Sequence, residues 1–145
     1  MTSPTTGSRA AAATGSGHSE AVERALAAAG AALAKNGTDV AVVRVGEILA
    51  ITEVFVIASA SNTRLVKTIV EEVERALTDH DGSKPRSIEG LADASWVLLD
   101  YGDVVVHVFL AETRAFYDLD RLWADAPTVA VADHASPAVA GSELI

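Results

Sequence analysis

The stretch 96–110 constrains this chain more than any other. Two apolar, β-forming runs, Trp96-Val97-Leu98-Leu99 and Val104-Val105-Val106-His107-Val108-Phe109-Leu110, are broken only by Asp100-Tyr101-Gly102-Asp103. Turn residues between two such runs predict an antiparallel hairpin. A two-residue loop at Tyr101 and Gly102 would set Asp100 opposite Asp103, Leu98 opposite Val105 and Trp96 opposite His107. Strand alternation then sorts the side chains onto two faces. Val97, Leu99, Val104, Val106 and Val108 form one purely aliphatic face, which reads as core. Trp96, Leu98, Asp100, Asp103, Val105, His107 and Phe109 form the other, with aromatic, aliphatic and acidic groups side by side.

The flanking sequence supplies what covers such a hairpin. Ser19 caps a first helix with Glu20 and Glu23 in its first turn, where the dipole favours negative charge. Val22, Leu26, Ala29 and Leu33 recur at helical spacing, and Lys35-Asn36-Gly37 ends the element. Residues 39–45 predict a strand, and 55–60 an interior strand covered on both faces. Ser61 or Asn62 caps a second helix with the stripe Leu65, Ile69, Val73 and Leu77, widened by Val66 and Val70 and stopped at Asp81-Gly82. A short strand is expected at 86–88, a short helix at 112–117 and a further turn at 119–123. The order predicts a small α/β domain with a mixed sheet and flanking helices. It should span 19–126, between a disordered N-terminal tail, 1–18, and a flexible C-terminal tail, 127–145, both poor in large apolar residues.

Composition narrows the function. Eleven Lys and Arg against twenty Asp and Glu give a net charge of −9. Direct nucleic-acid readout and attachment to anionic membrane both run on cations, so neither is expected. The absence of cysteine excludes disulfides, thiolate metal sites and cysteine nucleophiles. No apolar run approaches the roughly 18 residues of a membrane span, and the N-terminus does not read as a secretory signal.

No Gly-rich phosphate loop, nucleophile elbow or metal-spaced His pair is present, so no catalytic set, metal or cofactor is expected. Of the four histidines only His107 lies inside a predicted element, where a hydrogen-bonded structural role outweighs a catalytic one. Asp100 and Asp103 could hold Mg²⁺, but Asp in turns more simply bonds nearby N–H groups. Ser59, Ser61 and Asn62 could receive an anion, but capping is the simpler reading. Trp123 reads as an anchor for the last turn. Trp96 is either core or, beside Leu98, Asp100 and Asp103, the aromatic centre of a protein-binding patch.

Residues 96–109, WVLLDYGDVVVHVF, resemble the signature of the ribosomal silencing factor, or Iojap, family. So do 112–123, ETRAFYDLDRLW, then 55–61, FVIASAS, and Glu89-Gly90 ahead of Trp96. Glu53-Val54, Leu65 and Leu110 depart from the family pattern. The resemblance implies a nucleotidyltransferase-like topology without the catalytic motifs. It implies a cytoplasmic, non-enzymatic translation repressor. Such a protein binds the large ribosomal subunit through the ribosomal protein numbered fourteen, blocks subunit joining when nutrients are scarce, and self-associates as a homodimer. The family's contact segment falls on Trp96, Leu98 and Asp100, and the candidate partner-binding set is Trp96, Leu98, Asp100, Tyr101, Asp103 and His107. The alternative is a residual nucleotide-binding protein, with nucleotide and Mg²⁺ held near Ser59, Ser61 and Asp100.

Overall fold

The computed structural model describes residues 19–46 and 52–131. Helix α1 is Glu20–Ala34; the Ser19 hydroxyl accepts from the Val22 N–H at 3.2 Å and so satisfies one of the donors left over at its start. Asn36 turns the chain at φ 67° into strand β1, Thr38–Arg44. Strand β2 is Val54–Ala60. Helix α2, Thr63–Asp81, is capped by Asn62 rather than Ser61, with the Leu65 N–H donating to Asn62 Oδ1 at 2.8 Å, and it stops at left-handed Gly82. Strands β3, Ser87–Glu89, β4, Trp96–Asp100, and β5, Val104–Leu110, follow. A six-residue helix α3, Ala111–Phe116, leads into the 3₁₀ turn Leu119–Trp123 and strand β6, Thr128–Val129.

The six strands form one mixed sheet in the order β3-β4-β5-β2-β1-β6. Only β2 and β5 run parallel. A parallel pair needs a long crossover, and α2 with the β3–β4 pair supplies it. Both long helices pack on the same face of the sheet. Their buried Val, Leu, Ile and Ala side chains join Val97, Leu99, Val104, Val106 and Val108 in the main core, as the aliphatic hairpin face required. Six alanines of α1 are buried there. Small side chains let a helix axis approach its neighbours closely, so α1 gains through proximity what it lacks in side-chain volume.

Two expectations are corrected. The hairpin pairs Trp96 with Phe109, Leu98 with His107 and Asp100 with Val105, two residues from the register read from the sequence. Its loop is Gly102 and Asp103, closed by the Tyr101 N–H donating to the Val104 carbonyl at 2.8 Å. A two-residue hairpin loop with glycine first needs a positive φ at that position, and Gly102 has φ 92°, which Tyr101 would adopt only with strain. Because the side-chain period is two, a shift of two leaves every strand residue on its predicted face. The second correction is at the C-terminus. Residues 128 and 129, placed in a flexible tail, pair with Val43 and Val42 at the sheet edge, and Val131 is buried. The N-terminal tail, Glu47 in the connection after β1, and the chain beyond 131 lie outside the described residues.

Candidate protein-docking face

Among the described residues no long helix lies over the second face of the sheet. Alternation and register place Ser87 and Glu89 of β3, Trp96, Leu98 and Asp100 of β4, and Val105, His107 and Phe109 of β5 on this side. Phe55 and Ile57 of β2 and Ala41 and Val43 of β1 continue it. The 3₁₀ turn crosses the β1–β2 half, where Leu119 and Ala126 join Val43, Val45, Ile57 and Phe109 in a smaller core bordered by Phe55, Trp96 and Trp123. Trp123 is therefore the anchor expected of it. The β3–β4 half stays open: Leu98 and Asp100 are half-buried and Glu89 is exposed. Among the described strand positions on this face there is no Lys or Arg, while Asp100 and Glu89 are acidic.

Trp96 stands at the boundary between the covered and open halves. Its indole ring lies 4.9 Å from the Phe109 ring centroid, and its Nε1–H donates to His107 Nδ1 at 3.2 Å. A half-buried indole held by two ring contacts, with Phe109 and His107, and one hydrogen bond is fixed before any partner arrives, which lowers the entropic cost of docking. The strand is aimed from behind by Gly90, at φ 88°, where an added Cβ would meet the Trp96 carbonyl oxygen at 2.2 Å. Gly90→Ala is expected to cost more than about 2 kcal/mol, because the left-handed backbone and the backbone clash add. A denaturant midpoint equal to wild type would contradict this.

His107 packs and does not face outward. It is 6% exposed, enclosed by Phe55 at 4.5 Å, Phe109 at 6.0 Å and Trp123 at 6.2 Å between ring centroids. Its Nε2 has no hydrogen-bond partner among the described residues. Burial pushes its pKa down to about 4, because the cation would be stranded among apolar rings. The unfolded chain takes up this proton near pH 6.5 and the folded chain only near 4. His107 thus contributes stability that is full above pH 6.5 and is lost as pH falls toward 4. Between pH 7.5 and pH 5 this amounts to a loss of about 2 kcal/mol. Urea unfolding at the two pH values checks it: His107→Gln should flatten the dependence, and an unchanged slope in that variant would assign the effect to other groups.

Tyr101 and Asp103, included with the partner-binding residues, are on the helical side. Tyr101 packs against the main core, and burial, with the charges of Glu74 and Asp81, raises its hydroxyl to about 12. Asp103 is paired with Arg24 of α1, which also approaches Asp81 at 3.6 Å. The shifted turn explains this: Asp103 is a loop residue, not a strand residue, so alternation does not bind it to the mixed face. Asp100 takes the turn role expected of it, its Oδ1 accepting from the Gly102 N–H at 2.8 Å.

The residues of the nucleotide alternative are apart. Register aligns Asp100 with Val105 and Phe55, whereas Ser59 aligns with Phe109. That is four residues along the strands, roughly 13 Å. Ser59 is also occupied, since its hydroxyl accepts from Arg114 Nη1 at 2.7 Å. Arg114 has no counterpart in the sequence reading of candidate residues. It is 8% exposed and also donates to the Asp39 carbonyl at 2.8 Å and to Asp120 Oδ1 at 2.9 Å. An arginine in a six-residue helix carries no local sign of burial, and only the return of α3 across the end of β2 creates its site. Among the described residues no group of three or more His, Cys, Asp or Glu is placed to hold a metal ion, and no helix is long and apolar enough to cross a membrane.

A family described as "Ribosomal silencing factor during starvation" matches residues 18–143. The ribosomal silencing factor of Halalkalibacterium halodurans is 38% identical over 95 residues, 66% of this chain and 80% of that protein. That of Bacillus subtilis is 36% identical over 93 residues, 64% of this chain and 78% of that protein. A crystal structure from Chromobacterium violaceum superposes with a TM-score of 0.68 at 29% identity, covering 73% of this chain and 88% of that one. The family match takes in every described residue, helical layer and open face alike.

Proposed function

The chain belongs to the ribosomal silencing factor family, and from that premise we propose that it docks on the large ribosomal subunit and keeps the small subunit from joining. The partner is the ribosomal protein numbered fourteen, on the subunit's joining face, and the effect is lowered translation when nutrients are scarce. The protein acts by occupying space, in the cytoplasm, without a reaction or a cofactor. The observation that carries this reading is the open half of the sheet, where Trp96, Leu98 and Asp100 stand together with acidic and no basic strand neighbours. A fixed aromatic at the centre of a mixed patch is the composition of an interface hot spot. The absence of cations there, with a net charge of −9, suits a basic protein rather than ribosomal RNA, and complementary fields raise the association rate.

Co-sedimentation with separated subunits tests it. Binding to the large subunit alone, with a matching drop in subunit joining, is expected. Failure to bind the large subunit would overturn the proposal. Homodimerisation through the same face is a competing use of Trp96 and Leu98, and analytical sedimentation of the free protein reports it directly.

A further inference from the structure

Among the described residues the exposed large apolar side chains are Leu91, Phe116, Tyr117 and Leu122. The last three fall within seven residues, at 80%, 60% and 70% exposure. A lone apolar residue on a surface needs no explanation, but a cluster does. Phe116 closes α3, Tyr117 follows it as the C-cap and Leu122 lies on the 3₁₀ turn, and the two short elements pack on one another. The rings of Phe116 and Tyr117 meet edge to face at 4.9 Å.

The cluster is held in place. Arg114, between Asp120, Ser59 and the Asp39 carbonyl, ties α3 and the start of the 3₁₀ turn to the ends of β1 and β2. At the other end Trp123 packs against Phe55 and His107, while Leu122 beside it in the chain is left exposed. Its surroundings are acidic: Glu112, Asp118, Asp120 and Asp125 are exposed, while the stretch's two cations, Arg114 and Arg121, are paired with Asp120 and Asp118.

We infer that Phe116, Tyr117 and Leu122 form a second docking surface for a basic protein of the large ribosomal subunit. This rests on the docking reading above and extends its footprint from one strand pair to a neighbouring helical corner. The charges select the occupant. In a two-fold contact between copies of this chain the same patch, net negative because four acids stand against two arginines, would face itself, and like charges would oppose association. Phosphates would be repelled in the same way. A partner with an apolar surface rimmed by Lys or Arg meets both requirements. The surface is already ordered in the free protein, so its docking carries little ordering cost.

The test compares wild type, Phe116→Gln/Leu122→Gln, Trp96→Ala and Leu91→Gln by co-sedimentation with purified large subunits and by analytical sedimentation alone. Leu91 is exposed between β3 and β4, away from this corner, and its variant serves as the control. Phe116 and Leu122 are exposed, so the double variant should melt within a few degrees of wild type. It should bind large subunits at least about tenfold more weakly, with Leu91→Gln unchanged and self-association unaltered. Wild-type binding in the double variant, alongside loss in Trp96→Ala, would overturn this surface and leave the sheet face standing. Loss of self-association with subunit binding intact would overturn it in favour of a second copy. No large-subunit binding by wild type would overturn both readings.

Discussion

Trp96→Ala is expected to weaken binding to the large ribosomal subunit by at least about thirtyfold, the equivalent of about 2 kcal/mol for a central aromatic anchor. The variant should keep its secondary structure, because Trp96 borders the smaller core without belonging to its buried set, and the main core lies across the sheet. It will not be silent in folding. The indole packs on Phe109 and donates to His107, and its removal leaves His107 Nδ1 without that donor. Leu98→Ala separates the two effects, because Leu98 joins neither core cluster yet shares the open face. It should cost about tenfold in binding with little change in melting. Trp96→Phe keeps one ring against Phe109 but loses the N–H and part of the aromatic surface, so it should bind between wild type and alanine. Wild-type co-sedimentation by both folded alanine variants would remove this face from the mechanism, whatever the family.

Most of this architecture was legible because it is local. Caps at Ser19 and Asn62, the stop at Gly82, the helical stripes and the alternation through 96–110 are set by residues close in sequence. The hairpin register differs by two from the sequence expectation because the loop is Gly102 and Asp103 rather than Tyr101 and Gly102, the positive φ falling on Gly102 as the first loop residue. The faces survived the error because two is the period of a strand. Trp96, Leu98 and Asp100 therefore came together as expected, while Tyr101 and Asp103, which depend on the turn itself, went to the other side. His107 was placed on the correct face, but its enclosure depends on Trp123 and Phe55, brought over it by chain segments distant in sequence. β6 was missed because two residues after a proline carry no strand pattern of their own; β1 supplies their hydrogen-bond partners. The exposure of Phe116, Tyr117 and Leu122 was illegible for the opposite reason. Nothing in these short turns tells a packed apolar residue from an exposed one, and only the structure shows all three exposed among the described residues.

The same tertiary origin makes Arg114 a costly position to alter. Its guanidinium is 8% exposed and makes four hydrogen bonds to three groups. Asp120 is largely solvent-exposed, so that ion pair alone contributes little. The weight falls on Ser59 Oγ, which takes a buried charge-assisted bond at 2.7 Å, while the 2.8 Å bond to the carbonyl of exposed Asp39 is only partly buried. Arg114→Met fills much of the same volume but leaves the buried Ser59 hydroxyl without its charged donor. A loss of about 3 kcal/mol is expected, or roughly 10–20 °C in melting temperature for a domain of this size. Arg114→Lys should recover only part, since one ammonium cannot reproduce the planar fork that reaches three partners. Ser59→Ala removes a single acceptor and should cost about 1 kcal/mol. The two losses should not add, because both act on one bonded pair. The anchor also places the corner that presents Phe116 and Leu122, so Arg114→Met should bind large subunits more weakly even at temperatures where it is fully folded. Additive melting shifts in the Ser59→Ala/Arg114→Met double variant would show that the pair is not coupled, and that α3 is held by something other than this buried cation.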